Sequence, residues 1–87
     1  MEQYLVCNIN PFLYMQTFYR WDGINPINTK NLNSYMGQAV LDQVPAALIE
    51  IAKNWGFNTV IINGEKTYIE PIVEELKNNE INIIIGE

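Results

Sequence analysis

The 87-residue sequence predicts a single α/β domain, residues 1–87, with one mixed sheet of four or five strands and two helices. Two observations predict this class. The first half carries strand-like segments divided by turn residues, a pattern typical of antiparallel pairing. In the second half, short apolar segments alternate with segments of helical spacing, which predicts parallel strands joined by right-handed crossovers.

The first two strands are predicted to form an antiparallel hairpin. The segment from Tyr4 to Ile9 is rich in β-branched and aromatic residues, which favour strands. Pro11 ends it because proline has no N–H to donate. From Met15 to Trp21, alternate residues share a face, and the turn pair Asp22-Gly23 follows. The second strand therefore ends near residue 21.

An irregular loop is predicted for residues 24–34, because asparagine, proline and serine are dense there. So long a loop in a small domain is either a variable surface insertion or a functional segment. A short third strand is predicted for residues 35–40, although Gly37 lowers its strand propensity. The sheet has five strands if this third strand forms and four if it does not.

The first helix is predicted from Val44 to Trp55, where apolar residues recur at helical spacing. Asp42 is the expected N-cap, and Pro45 falls in the first turn, where a missing N–H is tolerated. Gly56 suits the left-handed position that follows a helix. These three signals define both ends of the helix.

A buried strand is predicted at residues 60–62, and a second helix follows it. Thr67 and Glu70 have the spacing of a capping box, which would begin the helix at Thr67. Pro71 is unfavourable one turn inside a helix, so the alternative start is near Glu70. The last strand is predicted from Ile81 to Ile85.

The composition excludes several classes of function. Ten acidic against five basic residues give a net charge of −5, which argues against direct binding of nucleic acid. The sequence has no histidine, so histidine general acid–base catalysis and the commonest zinc ligand are both absent. The single Cys7 lies within the first predicted strand, where an inert buried thiol is expected. We therefore predict a non-catalytic protein without cofactor or metal.

The sequence also predicts a cytoplasmic protein that does not associate with membranes. A lone cysteine cannot form an internal disulfide, so the fold does not depend on oxidation. No signal peptide is expected, because an acidic residue stands where a basic segment is needed and no apolar segment follows. The longest apolar segments are far too short to cross a bilayer.

The predicted element order resembles the ribonuclease H-like core, and most closely its RuvC and YqgF branch. In that branch the first strand ends in a metal-binding Asp, and here Asn8 or Asn10 occupies that place. The resemblance implies further acids near the end of the fourth strand, at Glu65, and near the C-terminus, at Glu87. Two-metal hydrolysis needs converging carboxylates, and an amide adds no charge. The resemblance therefore implies a degenerate fold without the nuclease site.

The Asn10-Pro11-Phe12 turn and the later Asn63-Gly64 strand end also resemble small uncharacterised phage proteins. This resemblance implies an accessory protein of a phage or mobile element. The small size and the acidity of the chain further predict that it inhibits or sequesters a host defence factor, as anti-CRISPR proteins do. An acidic surface can compete for basic grooves that normally bind phosphates. Two alternatives stay open: a catalytically dead structural subunit of a nucleic-acid complex, and a divergent metal-dependent nuclease built on Glu65, Glu70 and Glu87.

Two surface features predict a protein partner. Acidic residues are concentrated after residue 64, where they form a solvated face, a partner-binding face or a metal site. The second strand is aromatic, and exposed Tyr and Trp are typical of interfaces. If this strand lies at the sheet margin, it also favours a homodimer. The predicted partner-binding residues are Tyr19, Trp21, Glu65, Glu70, Glu74 and Glu75.

Overall fold

The computed structural model describes residues 3–22 and 34–86. They form a five-stranded sheet with two helices, which confirms the predicted α/β class. In chain order the elements are β1 (Tyr4–Asn8), β2 (Met15–Trp21), β3 (Ser34–Val40), α1 (Val44–Trp55), β4 (Thr59–Asn63), α2 (Lys66–Asn78) and β5 (Asn82–Gly86). The predicted 24–34 loop lies outside the described residues except for Ser34, which begins β3.

The sheet has the order β3-β2-β1-β4-β5 and mixes both kinds of pairing. β1 pairs antiparallel with β2, Val6 opposite Tyr19, and β2 pairs antiparallel with β3. β1 also pairs in parallel with β4, Val6 opposite Ile61, and β4 pairs in parallel with β5. The prediction that the second strand lies at the sheet margin is wrong, because β2 is interior and β3 and β5 are the edges. The third strand, Ser34–Val40, satisfies the hydrogen-bonding groups of β2 that were expected to be free.

Both helices pack on one face of the sheet and enclose the main core. The central strands β1 and β4 contribute alternate side chains to it, and the helices contribute their apolar stripes. Its largest fully buried members are Phe18, Leu5, Leu48, Ile62, Ile69 and Leu76. A smaller cluster of Val6, Trp21 and Ile61 lies on the opposite face, with Tyr4 and Ile84 packed against it.

The ends of α1 differ from the sequence prediction at one terminus only. Gly56 adopts φ 76° and caps the C-terminus, as expected. At the N-terminus Asp42 lies within a short 3-10 turn, Leu41–Gln43, and Gln43 occupies the N-cap position without a side-chain hydrogen bond. Asp42 therefore lies one residue before the N-cap position that it was expected to occupy.

α2 begins earlier than either predicted start. Glu65 is its N-cap residue and makes no side-chain capping bond. The N–H groups of Tyr68 and Ile69 both donate to Glu65 O, at 3.0 and 3.1 Å, and this places Thr67 inside the first turn. The predicted capping box is therefore wrong. The early start places Ile69 in the core, and the helix tolerates Pro71 in its interior.

Candidate interaction site

The β1–β2 connection carries the most exposed apolar side chains of the described residues. Phe12 is 95% exposed and Tyr14 is 84% exposed, and Leu13 between them is also exposed. We call these three residues the tip. Consecutive large apolar side chains on an ordered surface loop are unusual in monomeric proteins and are typical of binding sites. The tip is therefore the first candidate for a partner contact.

A buried glutamine in β2 fixes the tip. Gln16 is only 1% exposed, and its Oε1 accepts a hydrogen bond from Asn10 N at 2.7 Å. Its Nε2 donates to Asn10 O at 2.8 Å and to Leu13 O at 3.1 Å. The side chain thus satisfies main-chain groups at both ends of the turn. Breaking these hydrogen bonds would leave buried donors and acceptors without partners, which is unfavourable, so the side chain holds the turn in place.

The main chain before the tip is fixed as well. Asn10 Oδ1 accepts a hydrogen bond from Phe12 N at 3.1 Å, and Leu13 N donates to Asn10 O at 3.0 Å, which closes the turn. Ile9 is buried, and its N–H donates to Asn63 O at 2.7 Å. The connection between β1 and β2 has only six residues, 9–14. The rings at the tip therefore project from a short backbone segment that hydrogen bonds hold in place.

The aromatic pair predicted from β2 lies elsewhere and is mostly covered. Trp21 is 4% exposed and packs on Tyr4, with ring centroids 5.4 Å apart. The ring of Tyr19 is half-buried and meets Tyr35 edge-on at 6.4 Å. Trp21 is thus a buried ring rather than the exposed one that we expected. A partner-binding role for Tyr19 stays a prediction.

The predicted acidic residues do not form one uninterrupted face. Glu70 and Glu74 line a groove of about 600 Å³ beside β5, where Lys66 and Lys77 alternate with them. Lys66 Nζ lies 3.7 Å from the Glu70 carboxylate, and because both side chains are exposed this pair contributes little to stability. Glu75 instead lines a second groove, toward α1.

That second groove is lined by residues of both helices and of the turn before α1, among them Asp42, Pro45 and Tyr68. Glu65 is exposed at the start of α2. The structure therefore distributes the four predicted glutamates over separate surfaces, and α2 interleaves two of them with lysines. Their partner-binding role stays a prediction.

Two amides meet where β1 and β4 end. Asn63 Nδ2 donates a hydrogen bond to Asn8 Oδ1 at 2.8 Å. Asn63 is buried, and its Oδ1 has no hydrogen-bond partner among the described residues. A Cβ at Gly86 would collide with this oxygen, so Oδ1 faces the end of β5 rather than an open cavity.

The amide pair bears on the resemblance to ribonuclease H-like proteins. Asn8 is one of the two residues at which that resemblance implies a metal-binding acid, and Asn10 holds the tip turn instead. The side chain that contacts Asn8 is that of Asn63. The sequence did not indicate this contact, because only acids were considered near the end of the fourth strand and Glu65 was the nearest one. Glu87 lies outside the described residues. Within residues 3–22 and 34–86, no three His, Cys, Asp or Glu side chains are grouped so that they could hold a metal ion.

The one thiol is far from reactive. Cys7 is fully buried in β1, and burial raises its pKa from 9.0 to about 12. A thiolate is the nucleophilic form, and burial in apolar surroundings disfavours it. This agrees with the expectation of an inert thiol in a strand.

Within the described part of the chain, no helix is both long and apolar enough to span a membrane. No protein-family model matches the sequence, and no curated protein matches it.

Proposed function

We propose that this protein is a non-catalytic interaction module that binds a partner protein through the tip. The observation that carries the proposal is the combination of high exposure and fixed backbone at Phe12, Leu13 and Tyr14. Burying one large apolar side chain is worth roughly 1.5–3 kcal/mol. A loop that is already ordered loses little conformational entropy on binding, so more of this energy appears as affinity.

The charges around the tip favour a protein over a nucleic acid. Residues 9–16 contain no charged side chain, so no lysine or arginine is adjacent to the rings in the sequence to contact phosphates. Aromatic platforms that stack on single-stranded nucleic acid are accompanied by basic residues. The net charge of −5 adds long-range repulsion of a polyanion. An apolar pocket on another protein fits this surface best.

The proposal extends to the role that the sequence suggested, an accessory protein of a phage or mobile element that inhibits a host factor. In that role Glu70 and Glu74 contact basic groups of the partner, and the tip supplies apolar contact. Replacing Glu70→Lys together with Glu74→Lys then weakens partner binding and makes it less sensitive to salt. If the double reversal leaves every captured interaction intact, the acidic side chains take no part.

The rival function is a divergent metal-dependent nuclease. It is tested by incubating the purified protein with single- and double-stranded DNA and RNA in the presence of magnesium or manganese. We expect no cleavage, because no three His, Cys, Asp or Glu side chains are brought together among the described residues. Cleavage that Glu65→Gln abolishes would overturn the non-catalytic proposal.

The proposed function is tested by comparing the proteins captured from host lysate by three forms of the chain. The test form carries Phe12→Ser and Tyr14→Ser, and the control carries Trp55→Ser, which removes an exposed ring at the end of α1. We expect the wild type and the control to enrich the same partner and the test form to lose it. Equal capture by all three forms would contradict a tip-mediated interaction.

A further inference from the structure

Among the described residues, β5 is an edge strand of the sheet that carries none of the usual protection. It contains Asn82-Ile83-Ile84-Ile85-Gly86, without a charge or a proline, and its register with β4 is regular along its whole length. Natural sheets protect their edges with charged residues, prolines or bulges, because an open edge pairs with other strands. β3, the opposite edge, has such a device, a register shift opposite Phe18 and Tyr19.

The direction of the free backbone groups follows from one hydrogen bond. Asn82 N donates to Asn58 O at 3.0 Å, so the main-chain groups of Asn82 point toward β4. Successive residues of a strand point their N–H and C=O groups to opposite sides. Ile84 therefore also bonds toward β4, and the N–H and C=O of Ile83 and Ile85 point outward from the sheet.

An apolar groove lies beside this edge. It has a volume of about 600 Å³ and is lined by Ile69 and Val73 of α2 and by Ile85 of β5. Ile85 is 59% exposed, although it lies on the helix side of the sheet opposite the buried Ile62. A strand added to β5 would place alternate side chains in this groove and cover Ile85.

The charges on the groove rim allow two copies of the chain to meet there. Lys66 and Lys77 balance Glu70 and Glu74, so the rim has no net charge, in contrast to the chain as a whole. Two copies can bring this surface together without the repulsion that a net acidic face would cause. The edge also lacks the charged residue that would prevent self-pairing.

We propose that a second copy of this chain adds its own β5 to the free edge in antiparallel orientation. Ile83 of each copy then pairs with Ile85 of the other about a two-fold axis at Ile84, and each such pair exchanges two hydrogen bonds. The Ile85 side chains are then buried between the grooves of the two copies. The two five-stranded sheets become one continuous sheet. Closed two-fold contacts are the commonest way in which soluble chains associate. This proposal does not depend on the tip.

The first test is the mass in solution, measured by sedimentation equilibrium from micromolar to hundreds of micromolar protein. We expect a mass that rises from 10.1 kDa toward twice that value. Ile85→Lys should weaken the dimer more than about tenfold, because its ammonium group would occupy the groove. Gln38→Lys, on the exposed side of the other edge strand, is the matched control and should leave the dimer unchanged.

The second test fixes the register. In the proposed pairing Ile84 faces Ile84 of the second copy at a non-hydrogen-bonded position, where Cα atoms lie about 4.5 Å apart, within the range of a disulfide. Ile84→Cys should therefore form a disulfide-linked dimer under mild oxidation, whereas Gln38→Cys should not. The buried Cys7 does not interfere. A monomeric mass at every concentration, or a dimer that neither Ile85→Lys weakens nor Ile84→Cys cross-links, would overturn the proposal.

Discussion

The side chain of Gln16 and the main chain of Asn10 exchange two hydrogen bonds, from Asn10 N to Oε1 at 2.7 Å and from Nε2 to Asn10 O at 2.8 Å. The two hydrogen bonds replace those that a neighbouring strand would make with Asn10, and they close the hairpin where the backbone turns at Pro11. They connect the buried side of β2 to the most exposed rings of the described chain. One buried residue thus supplies three of the hydrogen bonds that order the tip.

Replacing Gln16→Ala should lower the free energy of unfolding by roughly 2–4 kcal/mol, because three main-chain groups each lose a hydrogen bond and a cavity is left. Urea denaturation measures this loss. Gln38→Ala, at an exposed position of β3, is the control and should cost less than about 0.5 kcal/mol. If both variants are equally stable, Gln16 does not hold the connection.

Gly64 and Gly56 should respond very differently to alanine. Gly64 has φ 150°, and a Cβ there would lie 2.8 Å from Ile9 O, a main-chain atom that cannot move aside. Gly64→Ala should therefore destabilise the protein by roughly 2–4 kcal/mol. Gly56 is also left-handed, with φ 76°, but nothing lies within 4 Å of its Cβ position, so Gly56→Ala should cost about 1 kcal/mol. Equal unfolding midpoints for the two variants would contradict the close approach of β1 and the β4–α2 turn.

The raised pKa of Cys7 predicts how the free energy of unfolding changes in alkaline solution. Burial raises its pKa from 9.0 to about 12, so the folded state keeps a neutral thiol where the unfolded chain already carries a thiolate. The stability that this thiol confers is complete below pH 9 and is lost as the pH rises from 9 through 12. Urea denaturation should show a decline that approaches about 1.4 kcal/mol per pH unit. In Cys7→Ala this part of the decline should disappear, and a persistent decline of the same slope would assign it to other groups.

The sequence predicted the fold better than the surface. The alternating pattern of Met15 to Trp21 and the helical spacing of Val44 to Trp55 matched the observed elements residue for residue, because both patterns arise from burial on one face. Exposure could not be predicted in the same way. Whether Trp21 or Phe12 is exposed depends on which strands flank β2 and on the path of a short turn.

In the candidate sites too, contacts that depend on the tertiary structure could not be predicted from the sequence. The hydrogen bond between Asn8 and Asn63 joins residues 55 apart in the chain, and no local pattern indicates it. Gln16 lies on the buried side of β2 and bonds to the turn, although glutamine is a residue type that is mostly exposed. One signal was available, since Asn10-Pro11 predicts a tight turn and a polar side chain nearby could satisfy its main-chain groups.

The amide pair gives a further prediction. Asn8→Asp together with Asn63→Asp would place two carboxylates at hydrogen-bond distance in a largely buried site. Like charges at this distance disfavour ionisation, so the double variant should lose roughly 3 kcal/mol of stability at neutral pH and regain part of it in acid. Thermal unfolding at pH 7 and at pH 4, with and without magnesium, measures both effects.

The control for the amide pair is Asn54→Asp together with Asn82→Asp, which makes the same charge change at exposed positions. Magnesium should raise the midpoint of the Asn8/Asn63 variant alone, since only there do two carboxylates converge. If both double variants respond alike to pH and magnesium, the contact between the two strand ends is not as close as described.

The most direct test of the tip as a binding site is site-specific photocross-linking. A photoreactive phenylalanine analogue is placed at position 12 in one form and at position 55 in another, so that both probes replace exposed rings. Each form is irradiated in host lysate, and the adducts are identified by mass spectrometry. We expect one protein partner joined at position 12 and not at position 55. Adducts of the captured partner at position 55 alone, or at both positions equally, would contradict it.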